Sequence, residues 1–377
     1  MNDLQQFLDY NHLYLQADNE DLHDLQIGKK IQYLTEGDNW EQADIVIVGC
    51  GERRGSLKTQ NWSNAANAIR KAFYKMYQWH DKINITDMGN ILEGKSINDT
   101  RAALKTILQE IHDAGKIAIV LGGSQDLTLT QYEPFKNKKQ LIDLAVIDSL
   151  IDMEDTENID DRNYLMELLT SQPNFIRHFS QIGFQSYYVN PSLLQTLDKL
   201  GFDCYRLGRV REDIADMEPV LRNCEMVSID MNVMRYSEAL FLSKDASPNG
   251  LFGDEICQLT KYAGMSQKIQ SLGIYGYDAE NDLNGQGAQL IAQMLWYFMD
   301  GLLVAKREAD IKETKDFIEF NVTLDEFVIV FYKSLKTNRW WMQSLNGDWI
   351  PCSYQDYLIA TNNEIPNRWF RAQERIF

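Results

Sequence analysis

KIAIVLGGSQDLT, residues 116–128, decides the fold: a strand-length β-branched run stops at a glycine pair and is followed at once by polar side chains. The same design recurs on both sides. Strands are expected at DIVIVGC (44–50), LIDLAVID (141–148), FSQIGFQ (179–185), EMVSIDM (225–231) and SLGIYGYD (271–278). Between them lie helical patterns: 64–79, 99–114 with Asp99 as its cap candidate, and the strongly apolar 286–304. Strands alternating with longer helical segments predict an α/β fold with a mainly parallel central sheet.

Composition narrows the function classes. The chain has 377 residues, 44% of them hydrophobic, with 22 Gly and only 7 Pro, which suits a large packed core and excludes disorder. Acidic residues outnumber basic ones 55 to 37, and a net charge of -18 with no basic face argues against nucleic acid. The apolar runs are mostly strand-length, which predicts a chain that does not span a membrane. MNDLQQFLDYNHLYLQ carries no secretory pattern, and Cys50, Cys204, Cys224, Cys257 and Cys352 form no CxxC pair; both point to the cytoplasm. The pattern divides the chain into an N-terminal segment (1–39), an α/β domain (40–307) and an aromatic-rich extension (308–377). Trp340, Trp341, Trp369 and Phe370 in that extension need covering, either by its own domain or by a protein partner or second copy.

Three segments fall at strand ends, where α/β sheets carry their sites: LGGSQDLT (121–128), VIDSLIDM (146–153) and SIDMNVMR (228–235). They bring Asp126, Asp148, Asp152 and Asp230, with Gln125 and Asn232, toward one rim. Oxygen donors of this kind suit a hard cation; equally, aspartates at strand ends cap helices and close turns.

These segments, with VGCGERRGS (48–56), Ala66/Ala68/Ile69/Arg70, DMGNI (87–91) and GIYGYDAENDLNGQGAQLIAQML (273–295), resemble in order and spacing the ureohydrolase superfamily of arginases, agmatinases and formimidoylglutamases, its formimidoylglutamase-like members above all. The resemblance covers roughly 40–305. It implies a three-layer α/β/α fold, an oligomer, and two Mn²⁺ ions whose bridging hydroxide attacks a guanidino or formimino carbon.

Residue by residue, the implied ligands are depleted. Gln125 stands where the family's GGDHS places its His, Leu150 replaces the His of DAHxD, and Asn232 replaces the second acid of SxDxD, while Asp148, Asp152 and Asp230 are kept. One metal position retains three aspartates and an amide, enough for a single Mn²⁺ or Mg²⁺; the other loses both non-bridging ligands. Arg235 falls where the family carries an outer acid and is expected to replace metal charge by pairing with the aspartates. The family's late substrate-binding acid aligns near Gly276, with Asp126 and Asp278 as further pocket candidates. No histidine context offers a substitute ligand: His12 and His23 precede the fold, His80 and His178 flank a helix and a strand, and His112 rides on a helix. The expectation is a pseudoenzyme without a cofactor, acting as a binding or scaffold component with a vestigial pocket open to a small ligand. The alternative is a one-metal formimidoylglutamate or guanidino hydrolase.

Overall fold

The structure, a computed structural model, describes residues 4–9, 22–34, 40–56, 64–242, 246–324 and 327–374; His12 lies outside them. Its central sheet consists of β1 (Leu8–Asp9), β2 (Gln32–Tyr33), β3 (Ile45–Gly49), β4 (Ile85–Ile91), β5 (Ile117–Leu121), β6 (Ile142–Ile147), β7 (Ile176–Phe184), β8 (Asp203–Arg206), β9 (Met226–Asp230) and β10 (Ser271–Tyr275). The order is β1-β4-β3-β5-β10-β9-β6-β7-β8, with β2 also on β4. Only the β1–β4 pairing is antiparallel. Strands such as IVIVG and SLGIY are buried along their whole length, as a sheet covered on both faces requires. The four strands ending in the segments singled out above, β5, β10, β9 and β6, are consecutive neighbours in its middle.

Helices cover both faces. On one side Gly253–Gly264 crosses Gln286–Arg307 at Gly264 and Gly301, where a methyl group would come within 2.2 Å of the Phe298 and Lys261 carbonyl oxygens respectively. Gln286–Arg307 has the length and apolar character to cross a bilayer, yet its Ile291, Leu295, Phe298 and Leu302 are packed into this core. Opposite lie Ile97–Asp113 and Leu127–Asn137.

Four strands of this sheet, β1, β2, β4 and β8, escaped the sequence reading. β4 carries polar Asp87 and Asn90 because they receive Arg70: its Nε lies 2.7 Å from Asp87 Oδ2, its Nη2 donates to the Gly89 carbonyl, and both charged side chains are fully buried. β8, DCYR, is a short polar edge strand. Helix ends also shifted. Ala65–Phe73 stops before the expected 79 because the Tyr74 and Met76 carbonyls accept from Gly28 and Ile27 instead of continuing the helix. Ser96, not Asp99, caps Ile97–Asp113, with Asp99 reciprocating at the third position.

The extension folds as a four-stranded antiparallel sheet, β11 (Phe317–Thr323), β12 (Val328–Ser334), β13 (Trp340–Gln343) and β14 (Trp349–Cys352), with helices Tyr354–Thr361 and Asn367–Glu374. Trp340 stacks between Phe320 and Tyr357, Trp341 meets Phe317, and Trp369 stacks on Phe327. All three tryptophans are buried, so the expected partner contact at Trp340, Trp341 and Trp369 is replaced by internal packing; only Phe370 is exposed.

A buried charge network fastens this unit to the α/β domain. Arg222 and Glu218 of the domain pair, Arg222 Nη1 reaches the Trp340 carbonyl at 2.5 Å, and its guanidinium lies 4.6 Å over Trp341. Arg339 bridges Glu308 at 2.7 Å and Glu218 at 3.3 Å. Burial alone would raise both carboxyls. For Glu218 the Arg222 and Arg339 guanidiniums, and for Glu308 the Ser334 and Thr337 hydroxyls with Arg339, hold them instead below their ordinary 4.5. Carboxyls lowered in the folded state stabilise it above about pH 4.5 and cease to as the pH falls through their folded values. Acid should therefore loosen the extension, read as a change in tryptophan fluorescence below pH 4.5, and Glu218→Gln should flatten that transition; an unchanged profile in the variant would contradict the network's role.

Candidate functional site

Four neighbouring strand ends deliver the site. After β5, Gly122 and Gly123 turn the chain so that buried Gln125 reaches the loop following β6. Its amide finds partners in one orientation only. With Nε2 turned inward it donates to Asp148 Oδ2 at 2.6 Å and Asp152 Oδ2 at 3.2 Å, while Oε1 accepts from the Tyr164 hydroxyl at 3.2 Å. Reversed, the amide oxygen would face the two carboxylates and call for a cation between them.

Asp148 and Asp230 are further held by backbone N–H groups. Asp148 Oδ1 accepts from Leu150 N at 2.9 Å, and Asp230 Oδ1 accepts from Asn232 N at 2.7 Å, closing the turns that follow β6 and β9. Asn232 braces the two turns together, its Oδ1 accepting from Ser149 Oγ at 3.0 Å. Leu150 contributes backbone only, its carbonyl accepting from Gln181 Nε2 at 2.7 Å. Tyr164, at the start of Tyr164–Thr170, is fully buried. Burial first, then the charges of Asp152, Asp148 and Asp230, push its phenol well above the usual value, so it stays a protonated donor. Tyr164 was invisible to sequence reasoning because NYLMELL reads as an ordinary amphipathic segment.

Other expected site residues lie elsewhere or are otherwise engaged. Arg235 makes no ion pair with Asp148, Asp152 or Asp230 among the described residues; its guanidinium stacks 4.5 Å over Phe252 and its Nε has no hydrogen-bond partner there. The pairing expected of Arg235 is therefore not made among the described residues, and backbone N–H groups face Asp148 and Asp230 instead. Asp126 turns to Ile97–Asp113, paired with Arg101 at 2.5 Å and bonded by Ser124. Burial raises its pKa despite Arg101. Gly276 adopts φ +75, and a methyl group there would lie 2.4 Å from Asp230 Oδ1, so no acidic side chain fits that position. Asp278 closes its own loop, accepting from Glu280 N, Asn281 N and Asn281 Nδ2. His80 packs on Trp296, His112 on Phe135, and His178 sits beside Asp203 at the opposite end of the sheet.

A mainly parallel sheet of this order, flanked by helices and carrying aspartate turns after four central strands, defines a ureohydrolase-type α/β protein. The Arginase family model matches residues 43–301, and the chain belongs to that family. Among curated proteins it is 23% identical over 272 residues to a formimidoylglutamase of Macrococcus caseolyticus, covering 70% of this chain and 86% of that protein. With a formimidoylglutamase of Klebsiella pneumoniae it shares 23% over 279 residues, 67% and 84%. Among solved structures it matches Trypanosoma cruzi formiminoglutamase with Mn²⁺ at TM-score 0.66 and 14% identity, covering 74% of this chain and 98% of that one. The Bacillus subtilis formimidoylglutamase matches at 0.66 and 17%, covering 76% and 94%.

The donor set does not fit the paired metals that the family implies. Leu150 has no side-chain donor and the Asn232 amide oxygen accepts from Ser149 Oγ, so the second ion of the pair would lack its own ligands. Removing the Gln125 amide would take a shared donor from two neighbouring buried carboxylates. Gln125→Leu is expected to lower unfolding free energy at pH 7 by about 2–4 kcal/mol in urea titrations; a loss below about 0.5 kcal/mol would mean that Gln125 does not bridge them.

Proposed function

We propose that this arginase-family, formimidoylglutamase-like chain has lost the dinuclear centre and works as a non-hydrolytic binding or scaffold component, through a protein partner, self-association or a small ligand in the old pocket. One observation carries the reading: the Leu150 side chain is hydrocarbon and the Asn232 amide oxygen already accepts from Ser149 Oγ at 3.0 Å. A hydroxide shared by two dications needs ligands for both, and those specific to the second are Leu150 and a committed Asn232. The five free thiols suit a reducing cytoplasm.

A second reading rests on the convergence of Asp148, Asp152 and Asp230 on the Tyr164 phenol. If the Gln125 amide turned its oxygen inward, these groups would form an all-oxygen set for a single Mn²⁺ or Mg²⁺ in a hydrolase of linear amidines. Metal analysis separates the readings. After equilibration with excess Mn²⁺ and gel filtration, the native chain should retain at most one ion and release neither formamide from formimidoylglutamate nor urea from guanidino compounds. The combined variant Gln125→His, Leu150→His, Asn232→Asp should retain two. Two stoichiometric ions on the native chain would defeat the proposal, and turnover abolished by Asp148→Ala would establish the one-metal hydrolase.

A further inference from the structure

The sheet of the extension ends on β11, whose outer edge meets no other strand among the described residues. At the opposite end β14 is covered, its Cys352 carbonyl accepting from Arg222 Nη2 of the α/β domain at 3.4 Å. β11 pairs with β12 in unbroken register from Phe317↔Ser334 to Thr323↔Val328, so no bulge twists it away from a neighbour. Its sequence, FIEFNVT, holds no proline and no lysine, two devices that protect an edge strand from pairing. Ile318 is 42% exposed, and Glu319, Asn321 and Thr323 are exposed with it.

The hairpin fixes which way the backbone of β11 faces. Leu324 N donates to the Phe327 carbonyl, and Leu335 N donates to the Asp316 carbonyl. Residues of the same parity, Ile318, Phe320 and Val322, therefore turn their N–H and C=O groups toward β12. Phe317, Glu319, Asn321 and Thr323 turn theirs outward. The strand is also matched to itself. Reversed about Phe320, it sets Ile318 opposite Val322, Glu319 opposite Asn321 and Phe317 opposite Thr323. The faces agree as well. Ile318, Phe320 and Val322 share the side on which Phe320 meets Tyr357, and Glu319 and Asn321 share the other, where Asn321 Nδ2 donates to Glu319 Oε1 at 2.9 Å. A two-fold axis at Phe320 keeps each face on its own side, sets apolar against apolar and amide against carboxylate, and gives every outward N–H and C=O a partner. An axis at Glu319 would set two carboxylates against each other, and one at Asn321 would shorten the pairing to residues 319–323.

We propose that β11 is a docking edge for a second copy of this chain, forming an antiparallel β11–β11 seam centred on Phe320 that joins the two four-stranded sheets into one. The seam names a surface for the self-association included in the scaffold reading. It uses only the extension, so it does not depend on the state of the aspartate turns.

The experiment measures particle mass by light scattering on the full chain at about 100 μM and through dilution to about 1 μM. Asn321→Pro removes an outward N–H and leaves the ladder to β12 intact, so the native particle should have about twice the mass of this variant. Asn321→Glu sets carboxylate against carboxylate at both symmetry-related places and should weaken the seam at least about tenfold in dilution. Residue 321 is exposed, so this variant keeps the test intact if the proline variant fails to fold. Adding Glu319→Asn to Asn321→Glu restores amide against carboxylate in the same register and should bring back the native mass. Equal masses for the native chain and Asn321→Pro, no weakening in Asn321→Glu, or no recovery in the double variant would overturn the seam. Mn²⁺ retention, measured on the same preparations, reports on the aspartate turns alone and so fails or holds separately.

Discussion

Carboxylates taken out of water must meet donors or positive charge, and at the centre of this sheet that requirement falls on Asp148, Asp152 and Asp230 together. In a metal enzyme, cations meet it. Here the Gln125 amide and the backbone N–H groups of Leu150 and Asn232 meet it, with Tyr164 fixing the amide from behind. The carboxylates of Asp148 and Asp230 thereby organise the loops that follow β6 and β9. Neutral donors compensate charge less completely than a dication, which is why every one of them is tightly placed.

The architecture was legible where physics left a periodic signal. Runs such as IVIVG and IDLAVI can only be strands covered on both faces, and their spacing by helices fixes a parallel sheet. β4 was not legible, because Asp87 and Asn90 break its apolar pattern to serve Arg70 from another element, a contact no local window contains. The early end of Ala65–Phe73 has the same origin: carbonyls of Tyr74 and Met76 are claimed by Gly28 and Ile27, far back in the chain.

The candidate site divides similarly. That Asp148, Asp152 and Asp230 gather at neighbouring strand ends with Gln125 and Asn232 beside them could be read from motif order, since it depends on residue identity. Where Arg235 goes could not, because charge alone suggested the aspartates and a neighbouring aromatic face, Phe252, received it instead. The extension's tryptophans posed a question that composition cannot answer: an aromatic cluster reads alike whether it is covered by its own chain or by another. Stacking on Phe320, Tyr357 and Phe327 answers it for this protein.

Gly276 adds a constraint of the main chain. With Asp230 filling the space beside it and the backbone in a left-handed conformation, that position is hostile to any side chain, acid included. Substitution alone could place other side chains at Gln125, Leu150 and Asn232, whereas a side chain opposite Asp230 would first need the main chain at Gly276 to leave its left-handed conformation.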